Sequence, residues 1–326
     1  MKRQITISEV AQKAGVSKAT VSRAINNNPK VRQKTQQLIK NIIKIMGYHP
    51  NTAARGIRTK LSKTIGIILP NITNDFFATL VRGAEDQARL SGYQIMITNT
   101  DESSNNEYAD INNLLNQMVD GLIIISTGVI KNYRQIVRKT PTIFTDRLPN
   151  DQEISHFDTI LIDNVQGSYQ AVNNLIQNGA ERIGFINSSV PDINTERMMG
   201  YDKALKHHHL NIDRDIIKFS DRKASNVYKL TGQLIINQAC DGLFTANNTI
   251  FRKALLKLKS SHLNHVKLAT FDDDYLYQFI NRKMTVIQQP AYQMGRKSVV
   301  NLINRINNPK LPIKHTRLIP QLKIYR

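Results

Sequence analysis

The sequence predicts an α/β protein in which a small all-helical N-terminal segment precedes a larger core of parallel sheets flanked by helices. The core is indicated by residues 61–326, where short β-branched runs alternate with amphipathic stretches. The helical segment is indicated by caps and helical periodicity within the first 60 residues. Because 326 residues exceed what one hydrophobic core usually holds, two or three domains are expected.

Three helices are predicted in the N-terminal segment. Thr6-Ile7-Ser8-Glu9 has the pattern of a capping box, which begins a helix that ends at Gly15. Ser17 is expected to cap a second helix over residues 18–26, and a third helix ends at Gly47. Two short helices joined by a glycine turn are typical of a helix-turn-helix.

Positive charge is concentrated in the same segment. The chain has a formal net charge of +20, and residues 1–60 contain thirteen Lys or Arg against one acid, Glu9. That segment therefore carries +12, whereas the remaining 266 residues carry +8. A short basic segment on a less charged body indicates a nucleic-acid binder, and a solvated basic surface is the alternative.

Several protein classes are disfavoured by the sequence. The single cysteine, Cys240, allows no internal disulfide and no cysteine-built metal site. The apolar runs are too short to span a bilayer and no secretory signal follows Met1, so we expect a cytoplasmic, nucleoid-associated protein without a membrane partner. Residues 207–209 are three consecutive histidines that cannot converge on one ion, so no metal site is expected. No catalytic or cofactor motif is found, which predicts neither an enzyme nor a cofactor.

The core is predicted to consist of two similar lobes in tandem. Ile65-Gly66 precedes Asp120-Gly121 by much the same distance that Ile183-Gly184 precedes Asp241-Gly242, which suggests a duplication and a cleft for a ligand. Strands are predicted at residues 65–69, 94–98, 122–125, 142–145, 183–187, 243–246, 267–271 and 285–289. Helices are predicted at residues 76–90, 106–118, 167–177, 194–206, 224–237, 250–258 and 292–306.

The segment TISEVAQKAGVSKATVSRAINNNPKVRQKT and the following GYHPNTAARGIRTKLSKTIGIILPNI resemble the lactose-repressor (LacI/GalR) family of bacterial transcription regulators. The resemblance is most specific over the first seventy residues and continues more diffusely to the C-terminus. It implies a helix-turn-helix domain at 1–47, a hinge at 48–60, and an effector-binding and dimerisation core like a periplasmic sugar-binding protein at 61–326. The implied N-lobe comprises about residues 61–160 and 291–318, and the C-lobe about residues 161–289 and 319–326.

The resemblance also implies which residues contact DNA. In this family the second helix enters the major groove, so Lys18 and Ala19 are the implied base readers, with Thr20, Ser22 and Arg23 nearby. Arg23 is equally suited to gripping phosphate. The implied phosphate contacts are Thr6, Ser17 and Thr35. Arg32 stands where the family usually has a small hydroxyl residue that caps the third helix.

A hinge that inserts an apolar side chain into the minor groove is implied by NTAARGIR at residues 51–58. Ile57 stands at the wedge position, where the family prefers leucine. The implied hinge contacts are Asn51, Ala54, Arg55, Ile57 and Arg58. An ordinary basic linker is the alternative.

An effector site in the cleft is implied as well. Arg197 matches the family's effector-anchoring arginine, and Asp272 matches a carboxylate that accepts hydrogen bonds from sugar hydroxyls. Asp75 stands where proline is usual and Asn248 where aspartate is usual. The implied effector-binding residues are Asn74, Phe76, Phe77, Asp146, Arg147, Arg197, Arg222, Asn247, Asp272 and Gln289. For each residue, an interdomain ion pair or a core contact is the alternative.

The arginines of this set predict the charge of the effector. Arg147, Arg197 and Arg222, with no acid at residue 248, favour a sugar acid or sugar phosphate over a neutral sugar. The whole sequence is interpreted as a homodimeric repressor of carbohydrate-utilisation genes that binds a pseudo-palindromic operator under effector control. Whether the effector induces or co-represses is open, and so is a protein co-regulator. The rival interpretations are a sugar-binding transport protein and an architectural DNA-bending protein.

Overall fold

The computed structural model of the chain describes residues 5–48, 61–150, 152–189, 191–221 and 223–325, without the side chains of residues 191 and 192. The chain divides into two units, Met1–Ser62 and Lys63–Arg326. The implied hinge contacts Asn51, Ala54, Arg55, Ile57 and Arg58 lie outside the described residues, and so does Arg222.

The first unit contains three helices around a small apolar core. The helices are α1 (Ile7–Ala14), α2 (Lys18–Ile25) and α3 (Gln33–Met46). Val10, Val21 and Ile39 are fully buried where the three helices meet. The predicted caps at Thr6 and Ser17 are confirmed, and Gly15 and Gly47 end α1 and α3 in the left-handed conformation. The N-terminus of α3 has no side-chain cap, as Arg32 led us to expect.

The second unit is built on two six-stranded sheets. The strands are β1 (Thr64–Leu69), β2 (Gln94–Asn99), β3 (Gly121–Ile124), β4 (Thr142–Thr145), β5 (Asp158–Ile162), β6 (Ile183–Asn187), β7 (Ile217–Phe219), β8 (Gly242–Thr245), β9 (Lys267–Phe271), β10 (Met284–Gln288), β11 (His315–Leu318) and β12 (Gln321–Tyr325). The first sheet has the order β11-β5-β4-β3-β1-β2, and the second has the order β12-β10-β9-β8-β6-β7. All neighbouring strands are parallel except β10 and β12.

Helices flank both sheets of this unit. They are α4 (Asp75–Leu90), α5 (Ser104–Asn116), α6 (Tyr133–Val137), α7 (Asn164–Gln177), α8 (Pro191–His207), α9 (Val227–Gly232), α10 (Asn248–Ser260) and α11 (Ala291–Asn307). A π-helical turn at Gln233–Asn237 continues α9. Turns of 3-10 helix occur at Gln152–His156, Arg214–Ile216 and Tyr275–Phe279. No helix of the described segments is both long enough and apolar enough to cross a bilayer.

The two sheets repeat one strand order, so the predicted duplication is present strand for strand. We call the part built on the first sheet the N-lobe and the part built on the second sheet the C-lobe. The chain passes between the sheets after β5, after β10 and after β11. Helix α11 packs on α4 and the first sheet, and α7 packs on α8 and the second sheet.

The predicted strands are all found to within one residue at each end, but four strands were not predicted. Of these, β11 and β12 are mostly exposed edge strands of mixed polar composition, so no run of apolar residues marks them. The predicted helix 224–237 is wrong at its start, because α9 begins at Val227 and a π-helical turn follows. The predicted helix 106–118 is displaced, because the side chain of Ser103 caps α5 and begins it earlier.

Glycines allow α4 and α11 to approach closely. A Cβ added at Gly295 would lie 1.9 Å from the carbonyl oxygen of Leu80, and one added at Gly83 would lie 2.1 Å from that of Tyr292. These neighbours are backbone atoms, so a side chain requires the two helices to move apart.

We therefore expect Gly295→Ala to lower the free energy of unfolding by about 1–3 kcal/mol through overpacking. Thermal unfolding followed by circular dichroism measures the effect. The matched control is Gly232→Ala, where the new Cβ meets only the end of the flexible Lys257 side chain. That change is expected to be neutral or to stabilise by up to about 1 kcal/mol through helix propensity. Equal melting temperatures for the two variants would contradict the proposed packing constraint.

Candidate nucleic-acid interface and ligand cleft

The exposed side of α2 carries the residues that were predicted to read bases. Lys18, Ala19 and Arg23 are exposed, whereas Val21 and Ala24 on the opposite side are buried against the other helices. Thr20 and Ser22 are half-buried, and so is Thr35 near the start of α3. The alternation follows from helical periodicity, because residues 21 and 24 share the inner face. The unit therefore presents the first turn of α2 to solvent.

Caps fix the start of the two short helices. The Ser17 hydroxyl accepts a hydrogen bond from the Thr20 N–H at 3.1 Å. The Thr6 hydroxyl donates to the Glu9 carboxylate at 3.0 Å, and this carboxylate also accepts from the Thr6 N–H at 2.7 Å. Helix N-termini favour anions because their N–H groups and dipole point outward. The hydroxyls of Thr6 and Ser17 are thus already hydrogen-bonded to residues of the helices that they cap.

A cavity of about 390 Å³ opens between the N-lobe and the C-lobe, a size within the usual range of ligand pockets. It lies beyond the carboxyl ends of strands in both sheets, since loops after β1, β2 and β4 meet loops after β6, β7 and β8. Its predicted lining residues are Asn74, Phe77, Arg147 and Asn247. Lining residues that were not predicted include Asn71, Asp101, Glu102, Ser188, Ser220, Asp221, Lys223 and Thr249.

Arg197 is a buried cation held by α8 in the C-lobe, with only 3% of its surface exposed. Its Nε donates to the Asn164 side-chain oxygen at 2.9 Å, and its Nη1 donates to the carbonyl oxygen of Ala246. The guanidinium lies 3.9 Å from the centre of the Phe271 ring, a cation–π contact. Burial lowers the pKa of Arg197 to about 10, and the nearby Asp272 and Asp146 carboxylates oppose that shift. The side chain stays charged at neutral pH.

Two buried carboxylates occupy equivalent positions in the two lobes. Asp146 follows β4 and Asp272 follows β9, each with a left-handed φ, of 65° and 67°. Asp146 and Asp272 are each only 6% exposed. One oxygen of Asp272 accepts from the Gln289 side-chain amide at 2.5 Å, and the other accepts from the Asn248 N–H at 3.5 Å. Residues other than glycine rarely occupy the αL conformation, so both residues adopt an uncommon backbone conformation at the cleft.

Burial raises the pKa of both carboxyls. For Asp146 the pKa reaches about 6, because desolvation outweighs the attraction of Arg147 and Arg197. The pKa of Asp272 is raised for the same reason, against the opposing effects of Arg197 and the Gln289 hydrogen bond. Arg197 therefore interacts electrostatically with a carboxylate from each lobe.

Arg147 is paired within its own lobe. Its Nη1 lies 2.9 Å from both oxygens of Glu102, and its guanidinium is 5.4 Å from the centre of the Phe77 ring. Phe76 packs edge-to-face on Phe77 at 5.1 Å and is itself buried. Asp101 and Glu102 lie two and three residues after β2, at the same edge of the sheet as Asp146.

Among the described residues, the buried polar atoms without a hydrogen-bond partner include two beside the cleft. These two are the side-chain oxygen of Gln289 and the Nε of Arg147, which lies 3.6 Å from the Asp146 carboxylate. Buried polar groups are normally hydrogen-bonded, so such atoms are suited to a ligand that carries both donors and acceptors.

No group of three or more His, Cys, Asp or Glu side chains suited to a metal ion occurs within the described ranges. In the histidine run, His207 bonds the Tyr169 hydroxyl, and His208 lies 2.7 Å from the Asn173 side-chain oxygen. These histidines connect the end of α8 to α7.

Two family models match the chain. The model described as bacterial regulatory proteins, lacI family, covers residues 6–51, and that described as periplasmic binding proteins and sugar binding domain of LacI family covers residues 62–324. The chain is 32% identical over 314 residues to the HTH-type transcriptional regulator RegA of Clostridium saccharobutylicum, with 94% of each covered. It is 29% identical over 311 residues to catabolite control protein A of Priestia megaterium, with 93% of each covered.

Solved structures share the fold. The transcriptional regulator CelR in complex with cellobiose aligns with a TM-score of 0.74 and 25% identity over 98% of each chain. The lac repressor dimer bound to operator and the anti-inducer ONPF aligns with a TM-score of 0.84 and 21% identity, over 99% of this chain and 98% of that one. The predicted fold class, a helix-turn-helix head with a core like a periplasmic binding protein, is confirmed.

The raised pKa of Asp146 predicts a pH dependence of stability. Between pH 3.8 and about 6, the folded state retains the Asp146 proton while the unfolded chain loses it. The free energy by which this proton stabilises the folded state is fully present below pH 3.8 and is lost as pH rises to about 6. The loss amounts to about 3 kcal/mol at most.

Asp146→Asn cannot lose this proton. We therefore expect the wild-type free energy of unfolding, minus that of the variant, to fall as pH rises from about 4 to about 7. Asp272 remains in both proteins, so its contribution largely cancels in the difference. Urea unfolding followed by circular dichroism at constant ionic strength measures both curves. A difference that does not vary with pH, or one that grows toward neutral pH, would contradict the assignment.

Proposed function

Because the chain belongs to the lacI family of bacterial regulatory proteins, we propose that it is a sequence-specific repressor of carbohydrate-utilisation genes, controlled by a sugar-like effector. The observation that carries the proposal is a cleft with buried, charged hydrogen-bonding groups in a chain that also has an exposed recognition helix. Family membership makes it a DNA-binding transcription regulator, which supports the prediction that it is not an enzyme. On this proposal it acts in the cytoplasm, at the nucleoid.

The DNA contacts follow from α2. Lys18 is placed to donate to guanine O6 and N7, and the methyl group of Ala19 is suited to a thymine methyl. Arg23 extends from the same exposed side and reads guanine or binds phosphate. Further polar contacts are proposed for Thr6, Ser17, Thr20, Ser22 and Thr35, and for the hinge residues Asn51, Ala54, Arg55, Ile57 and Arg58.

A homodimer is proposed as the active form. The lac repressor structure that shares this fold is a dimer bound to operator, and two copies of the head would match a pseudo-palindromic site. The proposed domains are the head at 1–47, the hinge at 48–60 and the core at 61–326.

The chemistry of the cleft suits a polyhydroxylated ligand. Asn247 lines the cavity, and Arg197, Asp146, Asp272 and Gln289 are buried beside the lining residues, where they offer further donors and acceptors. Phe77 lines the cavity and adds apolar surface against which a sugar ring can pack, and Phe76 packs on Phe77. A relative in the comparison was solved with cellobiose, and others are named sucrose operon repressor and catabolite control protein A, which supports a carbohydrate-related role.

Two effector classes are each favoured by an observation. Lys223 on the cleft wall and the buried Arg197 favour the anionic sugar acid or sugar phosphate that the sequence predicts. The pairing of Arg147 with Glu102 favours a neutral sugar, because that guanidinium is already neutralised. Carboxylates also outnumber cations around the described part of the cleft, since Asp101, Glu102, Asp146, Asp221 and Asp272 face Arg147, Arg197 and Lys223.

Base reading by Lys18 is tested with Lys18→Ala. The loss of its contact to guanine is expected to weaken binding by about 1–3 kcal/mol on the specific site and much less on a random duplex. Fluorescence anisotropy at fixed salt measures both, with fragments from upstream of the protein's own and neighbouring genes.

Lys40→Ala is the matched control, because it removes the same charge from an exposed site on α3. It is expected to lower affinity for both duplexes equally, through general electrostatics. A truncated chain that begins at Leu61 is expected to bind neither. Equal losses on both duplexes for Lys18→Ala would rule out base reading by this residue.

The effector site is tested by isothermal titration calorimetry with neutral sugars, uronates and sugar phosphates. Arg197→Lys is expected to weaken binding of the best ligand by about tenfold or more, because a point charge cannot replace the planar fork. Arg214→Lys is the matched control, since Arg214 pairs with Asp202 on the exposed side of the C-lobe. Tighter binding of a neutral sugar than of every anion would eliminate the anionic class, and undiminished binding by Arg197→Lys would exclude Arg197 as an effector contact.

A further inference from the structure

A guanidinium joins the two lobes outside the ligand cavity. Arg252 on α10 of the C-lobe donates from Nη2 to the Asp75 carboxylate of the N-lobe at 2.7 Å. Its Nε donates to the Asp274 carboxylate at 2.5 Å. Asp75 begins α4, and Asp274 lies three residues after β9. One side chain therefore binds a carboxylate from each lobe.

A second contact crosses beside the first. The side-chain nitrogen of Asn74 donates to the side-chain oxygen of Asn248 at 3.3 Å, and the reverse hydrogen bond is 3.4 Å long. The Asn74 nitrogen also lies 3.5 Å from the Thr249 hydroxyl. Asn74 also caps α4 by accepting from the Phe76 N–H at 3.0 Å. Asn247 caps α10 in the same way, so the N-terminal turns of two helices face each other across the lobes. We call residues 74, 75, 248, 249 and 252 the interlobe clasp.

The anchoring of Arg252 makes the clasp reversible. The Asp274 side chain is fully buried, and its second oxygen accepts from the Leu276 N–H at 3.0 Å. Arg252 thus keeps a carboxylate partner in its own lobe when the lobes separate, and no buried charge is left unpaired. Asp75 is half exposed, so water solvates it when the contact opens. Opening the clasp itself therefore costs the loss of one exposed ion pair and a few weak amide contacts.

The charged groups around the clasp are already paired. A groove of about 710 Å³ adjoins it, lined in part by Arg82, Asp273 and Lys323. Lys323 binds Asp273 at 2.9 Å within the C-lobe, and Arg82 binds Asp86 at 3.2 Å within the N-lobe. Among the ion pairs of the described residues around this groove, the pair of Arg252 with Asp75 joins one lobe to the other.

We propose that the interlobe clasp holds the lobes together in the effector-free protein and thereby sets the equilibrium between closed and open clefts. An ion pair at this exposure is expected to favour the closed form by about two- to fivefold. If the cleft binds its effector as proposed above, the apparent affinity rises with the fraction of closed protein, and the effector stabilises a closure that the chain already favours.

The test measures the distance between the lobes directly. Cysteines introduced at Ala109 on α5 and Lys229 on α9, both exposed, carry spin labels in a full-length Cys240→Ala background. Double electron–electron resonance then reports the distribution of distances. Excess unlabelled protein ensures that an oligomer contains at most one labelled chain. No sugar or DNA is added, so the outcome does not depend on the proposed function.

Asp75→Asn is expected to raise the long-distance population by about two- to fivefold relative to wild type. Arg252→Lys is expected to do the same, because an ammonium cannot span both carboxylates, and the combined variant is expected to add little. Asp86→Asn is the matched control, since it removes the same charge from α4 in an ion pair confined to the N-lobe. It is expected to leave the distribution unchanged.

Salt provides an independent readout. Raising the salt concentration from about 0.05 M to about 0.5 M is expected to increase the long-distance population of the wild type, and to change Asp75→Asn much less. The proposal is overturned if Asp75→Asn matches Asp86→Asn, or if the open population stays undetectable in both. Failure to bind any sugar, with an opened Asp75→Asn, would instead refute the effector proposal and leave the clasp standing.

Discussion

The burial of one cation, Arg197, constrains the rest of the cleft. A charge so little exposed is stable only when carboxylates lie nearby and its N–H groups are hydrogen-bonded. Asn164 and the Ala246 carbonyl supply hydrogen bonds from the C-lobe. Asp272 of the same lobe and Asp146 of the other provide the opposing charge. The electrostatic balance of Arg197 therefore depends on both lobes, so their separation changes the environment of the buried arginine.

Sheet topology explains how such distant residues meet. Parallel strands of one sheet end at the same edge, and the two sheets have the same strand order. Asp146 and Asp272 thus occupy the same place in each lobe, after the equivalent strands β4 and β9, with the same left-handed backbone. The duplicated backbone conformation delivers a pair of carboxylates to one cleft. Arg197 has a different origin, because a helix rather than a strand end supplies it.

Apolar runs made most of the fold predictable, and their absence accounts for the omission of the edge strands β11 and β12. Strands such as β3 and β9 are continuous buried runs, whereas β11 exposes His315 and Arg317 at the edge of its sheet. The partner of Arg147 was not predictable for a different reason. Glu102 is 45 residues away and reaches Arg147 only because β2 and β4 end at the same edge. Counting arginines as free cations therefore overestimated the positive charge of the cleft.

Two of the interlobe interactions respond to different solution conditions. Around Arg197, the pKa of Asp146 is raised to about 6, so the charge of this cluster depends on pH near that value. The contact of Arg252 with Asp75 is exposed and therefore depends on salt. Asp75 and Asn248 are also the two positions of the implied effector site where this chain departs from the pattern it resembles, and both lie in the clasp. A ligand shifts the lobes only by its difference in affinity for the closed and open forms. The resting closure of this chain, and hence its response to an effector, is therefore tuned by side chains that need not touch the effector at all.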